Sequence, residues 1–410
     1  MIKTRFKIVR RMFATNKVRL FLIVAMMTIS VAMVSGIGGV PPRMRTAIEL
    51  LRDAGENKSP SGYYLDAIYG QAVGIERISM VFPLFFIAVT CLVVFMTITR
   101  MIESERSQIG TLKTLGYRQD SIVAKYIYFT LLASVIGVIL GILLGHFGVA
   151  WVIYRSISSH YGLAPNVVGT PFIGLTVMFI MIGFNLAVTG FTVLFVVRQQ
   201  PSKLLTGKAP KVGGKILLER IPFIWKPLPF RYKSSLRNMF RYRVRFFMTV
   251  FSMMFSTALV FCGMALSFSM QHTNPEMMET IRPIAVIVVL AAIFLNALVI
   301  YNITNINIDE RKREIATLKV LGYRPVEVCG YVFREIFLIT LVGVAIGLPA
   351  GFWAMDFIFG YLEFGSVSYL NWYVWIITFA LALTSLALAD FLLFRKINKI
   401  DMNASLKVVE

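Results

Sequence analysis

Charge is scarce in this chain. Only 15% of its 410 residues are Asp, Glu, Lys or Arg, where soluble domains carry about 25%, so water is not its main solvent. Cysteine is scarcer still. Cys91, Cys262 and Cys329 sit in or at the ends of apolar runs, which excludes an extracellular disulfide framework and argues against a thiolate metal site. The three histidines, His146, His160 and His272, lie at or beyond the expected outer boundary without metal-ligand spacing. No G-x-x-x-x-G-K-[ST] stretch occurs, so nucleotide phosphates are not cradled by that route. The paired intramembrane charges expected of most ion-coupled pumps are also missing. Asp390, near the inner boundary, is expected to snorkel to water or to Arg395 and Lys396, while Asn185 and Asn296 read as interhelical hydrogen bonds. The chain is therefore expected not to be an enzyme, to bind no cofactor or metal, and to take any energy from a partner.

What it has is hydrophobicity: 57% of residues are apolar, in runs of a length that spans a bilayer. The runs fall at about 20–40, 80–98, 127–154, 172–197, 246–268, 284–303, 333–359 and 372–394. The first is too long for a signal-peptide core and lacks a convincing cleavage site, so it is expected to stay as an anchor. Net charge is +21, yet its distribution matters more than its sum. With the N-terminus inside, 35 of the 42 Lys and Arg lie on the inner side and 7 outside, the bias that fixes orientation in membranes. Both termini are then cytoplasmic, and nucleic acid is not an expected partner.

Residues 1–19 hold seven basic residues and no acidic one, in an amphipathic pattern that fits an interfacial helix on the anionic inner leaflet. Residues 41–79 are mixed in charge and read as an outer helical hairpin, too short for a sizeable core. Residues 199–245 form a basic linker, ending in a second interfacial helix that repeats the Met-Phe and Val-Arg pairs of the first. Four-span units are expected over 20–198 and 246–395, with a cytoplasmic tail from 396 to 410.

One stretch organises the rest. Thr111-Leu112-Lys113-Thr114-Leu115-Gly116-Tyr117-Arg118 recurs 206 positions later as Thr317-Leu318-Lys319-Val320-Leu321-Gly322-Tyr323-Arg324. At that offset Ile102 meets Ile308, Ile109 meets Ile315, and Gly137, Gly141 and Gly145 meet Gly343, Gly347 and Gly351. The fold class is thus an all-α polytopic membrane protein. Its eight transmembrane helices form two parallel four-helix repeats, a pseudo-dimer, each with its octamer at a cytoplasmic turn. The octamer carries no carboxylate pair, histidine or cysteine and cannot be catalytic. An ordinary surface helix would also fit one copy; two copies at equivalent turns fit a partner with two equivalent surfaces. The glycines, four residues apart, let helices approach closely in lipid. They predict either static packing or a moving interface between spans or repeats, and Pro349 permits a kink beside the second set.

A span, a helix with acidic and basic residues, T-L-K-x-L-G-Y, then a glycine-laddered span: this order resembles the FtsX-like permease domain of the type VII (MacB-like) ABC systems. Residues 80–198 and 284–407 each resemble one copy, including the closing 395–401 stretch. The resemblance implies that 102–117 and 308–323 are coupling helices, each seated on one subunit of a dimeric cytoplasmic ATPase at the plasma (inner) membrane of a bacterium. ATP and Mg would bind that partner. Glu105, Arg106, Ile109, Leu112, Lys113, Leu115, Gly116 and Tyr117 are the expected contacts in the first copy. Arg311, Glu314, Ile315, Leu318, Lys319, Leu321, Gly322 and Tyr323 are those in the second.

The chain departs from the MacB pattern by carrying two domains and no large domain between its first two spans. Substrate capture then falls to a separate outer substrate-binding or adaptor protein, or to extraction directly from the bilayer. The expected role is a permease subunit that exports or extracts a lipophilic substrate. An alternative is mechanotransmission to an outer-face partner such as a cell-wall hydrolase. A third, of another class, is an ATPase-independent transporter or channel.

Overall fold

The computed structural model describes residues 12–13, 15–53, 62–164, 167, 172–205, 219, 229, 233, 237, 243–269, 275–362 and 365–398. Most of the expected interfacial segment 1–19, most of the linker and nearly all of the tail lie outside these residues. The described elements are helical throughout, with no strand among them.

The first half runs through α1 Lys17–Gly38, α2 Val40–Asp53, α3 Gly62–Ser104, α4 Arg106–Thr114, α5 Gln119–Leu143, α6 Ala150–Tyr161, α7 Phe172–Val197 and the short α8 Pro201–Leu205. The described second half repeats the order with fewer separate helices, one helix taking the place of α5 and α6: α9 Arg243–Ser269, α10 Pro275–Glu310, α11 Lys312–Val320, α12 Pro325–Leu362 and α13 Trp372–Asn398. Eight helical stretches among the described residues are long and apolar enough to cross a membrane. The protein is a multi-pass, all-α membrane protein.

Pro41-Pro42 was the expected end of the first span. Instead α1 closes at Gly38, and after a single turn residue, Gly39, α2 starts at Val40 and runs through both prolines. The first turn of a helix has no use for the N–H groups that proline lacks. Where described, α2 packs along α3, and Arg45 pairs with Glu76.

The glycine ladders explain the tightest helix pairs. A Cβ at Gly137 would lie 2.6 Å from Met27 Cβ, and one at Gly141 2.9 Å from the Thr28 carbonyl. In the second half a Cβ at Gly343 would lie 2.4 Å from Met253 Cβ, and one at Gly347 2.8 Å from the Met254 carbonyl. Any larger residue would push the helices apart. Thr28 Oγ1 uses the approach to donate to the Gly137 carbonyl at 3.2 Å. Gly145 and Gly351 extend the two seams, against Ala32 and Ser35 and against Ala258 and Phe261. Both ladders therefore join the first and third spans of one repeat, not one repeat to the other.

The third spans are disturbed at matching points by different means. A π-helix, Leu144–Val149, separates α5 from α6, and Pro349 lies inside α12 at the position that matches Leu143. The Arg43 guanidinium of α2 donates to the His146 carbonyl within the π turn at 2.8 Å, tying α2 to the third span.

The two repeats meet chiefly through α1, α3, α9 and α10, with α1 on α10 and α3 on α9 and on α10, and further through α6 on α10 and α3 on α12. Phe82, Phe86, Phe261 and Val288 are fully buried in the core shared across this seam. A second core, around Tyr126 and Phe129, stays inside the first repeat. The spans α7 and α13 flank the outside, packed on α5 and α10 respectively.

Candidate functional site

Each octamer helix begins at a break in the preceding span helix. Glu105 and Arg311, equivalent at the 206 offset, take nearly the same non-helical conformation there (φ −95°, ψ 9° and φ −106°, ψ 14°). Both junctions are tied to the third span of their own repeat, with opposite polarity. Glu105 accepts from Lys125 Nζ and from Tyr126 Oη, each at 2.8 Å. Arg311 pairs with Glu335 of α12, both nearly fully buried, and its guanidinium lies 5.9 Å from the Tyr331 ring centroid.

The lysines do the same work in both copies. Lys113 Nζ donates to the Val197 and Gln199 carbonyls at 2.7 and 2.6 Å, at the C-terminal end of α7. Lys319 Nζ donates to the Ile397 and Asn398 carbonyls at 2.8 and 3.1 Å, at the end of α13. The last carbonyls of a helix have no intrahelical partner and carry its negative dipole end, so a cation binds there favourably. Arg106 adds a bond from Nη2 to Gln199 Oε1 at 2.7 Å. Ile109 and Ile315 are buried and Leu112 and Leu318 partly so, the first copy's pair in the core inside its own repeat and the second copy's pair in the core the repeats share. Gly110 leaves room for Leu204 and Leu205 of α8, whose atoms would lie 3.1 Å from an added Cβ.

Both octamer helices then end alike. Tyr117 N donates to the Leu112 carbonyl and Gly116 N to the Lys113 carbonyl, both at 3.1 Å; Tyr323 and Gly322 repeat the pair on Leu318 and Lys319 at the same distance. These are the six-to-one and five-to-two bonds that close a helix on a left-handed residue. Gly116 and Gly322 supply it, at φ 82° and 85°. The closure turns the next side chains outward. Leu115 and Leu321 are each 69% exposed, Tyr117 38% and Tyr323 52%. Arg118 and Arg324 follow, exposed, and each opens the next helix. Pro325 starts α12, and Glu327 accepts the Arg324 N–H at 2.9 Å.

The sixteen expected contact residues thus fall into two groups. Glu105, Arg106, Ile109, Lys113, Arg311, Ile315 and Lys319 bind the chain's own spans, with Leu112 and Leu318 half-buried beside them. Leu115, Gly116, Tyr117, Leu321, Gly322 and Tyr323 form two exposed tips, with Glu314 exposed on α11. Arg118, Arg324 and the exposed Val320 and Val326 belong to the same surfaces. Both arginines stood in the repeated octamer, which was the signal for them.

A polar seam links the repeats at the octamer end. Arg100 pairs with Glu310 at 2.8 Å, Asn302 donates to Thr97 Oγ1 at 2.8 Å, and Arg19 lies 3.9 Å from Asp309. Asn305 and Asn307 fell beyond the expected end of the sixth span near 303, whereas α10 continues to Glu310; Asn302, just inside that end, gave no signal of its partner. Lys396 binds Asn305 and Asp309 rather than Asp390, whose Oδ1 is buried without a hydrogen-bond partner among the described residues. Asn185 donates to Met27 Sδ and Asn296 accepts from Ser256, as interhelical bonds.

A family model described as FtsX-like permease C-terminal matches residues 80–201 and 286–402. No curated protein and no solved structure matches the chain. The two matched segments each begin within a second span, include one octamer, and close just after a fourth span, together taking in more than half of the chain. The chain therefore belongs to the FtsX-like permease family, a family of membrane permeases of ABC-type transporters.

Proposed function

We propose that this chain is the membrane subunit of an ABC complex whose separate cytoplasmic ATPase dimer seats one subunit on each octamer tip. The observation that carries this reading is the pair of like-built tips. Each exposes a leucine and a tyrosine around a left-handed glycine, and each is clamped by a lysine to the end of a fourth span. Exposed apolar side chains on a rigid, cationic turn suit a groove on a soluble partner. The clamps and the junction ion pairs pass a push on a tip into the third and fourth spans of that repeat. The glycine-laddered seam carries it to the first span. ATP-driven closure of the partner would then rock one repeat against the other. At the far end this motion moves the α2–α3 hairpin, and the cargo is a lipophilic compound drawn from the bilayer.

A second reading, force transmission to an outer-face protein, is favoured by one feature. The helix α3 runs unbroken for 43 residues, about 65 Å at 1.5 Å per residue, about twice the hydrocarbon thickness of a bilayer. It joins the octamer junction directly to the hairpin.

The test is purification of the full chain in mild detergent with ATPase activity and co-purifying chains measured. An ABC ATPase should accompany the wild type and be lost from a Leu115→Glu, Leu321→Glu variant that still inserts. Transport by the chain alone, with no ATPase bound, would sink the reading. Compound resistance dependent on the chain separates export from the force-transmission reading, which instead requires an ATP-dependent hydrolase on the outer face.

A further inference from the structure

The seam between the repeats is filled on one side and open on the other. On one side, Arg100, Glu310, Glu335 and Phe246 surround a void of only about 20 Å³. On the other, a cavity of about 790 Å³ opens between the start of α1, the octamer helix α4 and the ends of α10 and α13. Its charged lining is Lys17, Arg19, Lys125, Lys312 and Lys396 against Glu105 and Asp309.

The acids do not balance this set. Glu105 is taken by Lys125 at 2.8 Å. Asp309 alone faces Lys396 at 2.7 Å, Lys312 at 3.1 Å and Arg19 at 3.9 Å. Three cations drawn to one carboxylate repel one another, and Lys17 adds a fourth at the rim. The eleven residues before Met12 hold five Lys or Arg and no acid, so that segment brings no carboxylate to the lining. A second anion is what the arrangement accommodates. Ammonium and guanidinium groups together suit phosphate oxygens, the guanidinium by its fork and the ammonium as a point charge.

Position narrows the source. The lining cations sit at or just beyond the ends of candidate spans, where a bilayer crossed by those spans would place its headgroups. Just inside, α1 presents Val18 and Phe21, 45% and 66% exposed, an apolar strip on which an acyl chain can lie. Basic recesses between spans on the cytoplasmic side are where anionic headgroups bind. We infer that this one-sided cavity is a binding site for a phosphoryl anion, presented by a membrane phospholipid, that bridges the first repeat's N-terminal end to the second repeat. It does not depend on the transport reading.

The test uses the full chain in detergent, with native mass spectrometry and thermal unfolding in phosphatidylglycerol, phosphatidylcholine or inorganic phosphate. Phosphatidylglycerol should bind and raise Tm, and phosphatidylcholine should not. Arg19→Gln with Lys312→Gln should weaken lipid binding about tenfold or more, while Arg52→Gln, an exposed site on α2 outside the cavity lining, should leave it unchanged. Should the double variant fail to fold, Lys17→Gln, at an exposed site, should still weaken binding measurably. Inorganic phosphate that displaces the lipid and stabilises equally supports the phosphoryl chemistry and makes the source soluble. Equal binding of both lipids, or no loss in the double variant and in Lys17→Gln, overturns the site. So does an effect of the cations seen only on a protein partner, which would give the cavity to acidic side chains of that partner.

Discussion

Leu115 and Leu321 give the most exacting test of the tips. Full burial of a leucine side chain stabilises by about 1.5–3 kcal/mol. Each is 69% exposed in the free chain, so docking would bury about two thirds of that, about 1–2 kcal/mol per tip. Removing both by Leu115→Ala with Leu321→Ala should therefore weaken ATPase binding by about 2–4 kcal/mol, a factor of about thirty to several hundred. Single variants should each lose about half of this free energy, because the tips belong to different repeats and share no partner side chain. Stability should move by no more than about 0.5 kcal/mol, since neither leucine supports the fold. The assay is titration of the purified ATPase against the chain in nanodiscs, with Tm measured alongside. Affinity of the double variant within about threefold of wild type, at unchanged Tm, would refute docking through these tips. A loss in one single variant equal to the double would refute the two-seat geometry instead.

Gly116→Pro with Gly322→Pro cannot hold φ near 82° and 85°, so ATPase stimulation should be lost while the protein still inserts. The milder Gly116→Ala meets no atom within 4 Å. Its cost is conformational alone, about 1–2 kcal/mol, and should appear as faster amide exchange at residues 112–118 with little change in Tm. Gly141→Leu must displace Val31 and the Thr28 carbonyl and should cost at least about 1–3 kcal/mol, read as a lower Tm. Gly148→Ala, with nothing within 4 Å, is its control. Glu335→Gln strands the buried Arg311 and should cost about 3–5 kcal/mol, most of it recovered by adding Arg311→Met; no recovery would show that the pair does not act as a unit.

The spans and the duplication were legible in the sequence because length, apolarity and a repeated octamer are local signals. The glycine spacing was legible too, but not its partner. Which helix fills the groove beside Gly137 depends on where Val24 and Met27 fall in space, and the contact lies across more than a hundred residues. Lys113 and Lys319 were expected among the polar contacts to a partner ATPase; within the chain they make a further set of bonds. Their targets are backbone carbonyls at the ends of α7 and α13, more than seventy residues away, which no side-chain pattern announces. The junction pairs escaped notice because the repeats solved one problem with opposite charges, so Glu105 and Arg311 do not align as like residues.

These contacts also say where the molecule can bend. Within a repeat, the first and third spans touch so closely that an added methyl would overlap backbone or Cβ atoms. Such packing shifts only as a block, because a close-packed surface has few intermediate arrangements. Between repeats, the octamer end is joined by a few polar bonds: Arg100 to Glu310, Asn302 to Thr97, Arg19 to Asp309. The one neutral bond of the three, Asn302 to Thr97, is of a kind that averages only about 0.6 kcal/mol in membranes. A force applied at the two tips would therefore part or close the repeats before it distorted either one. If the proposed coupling holds, the hinge would lie between α1, α3, α9 and α10, beside the basic cavity.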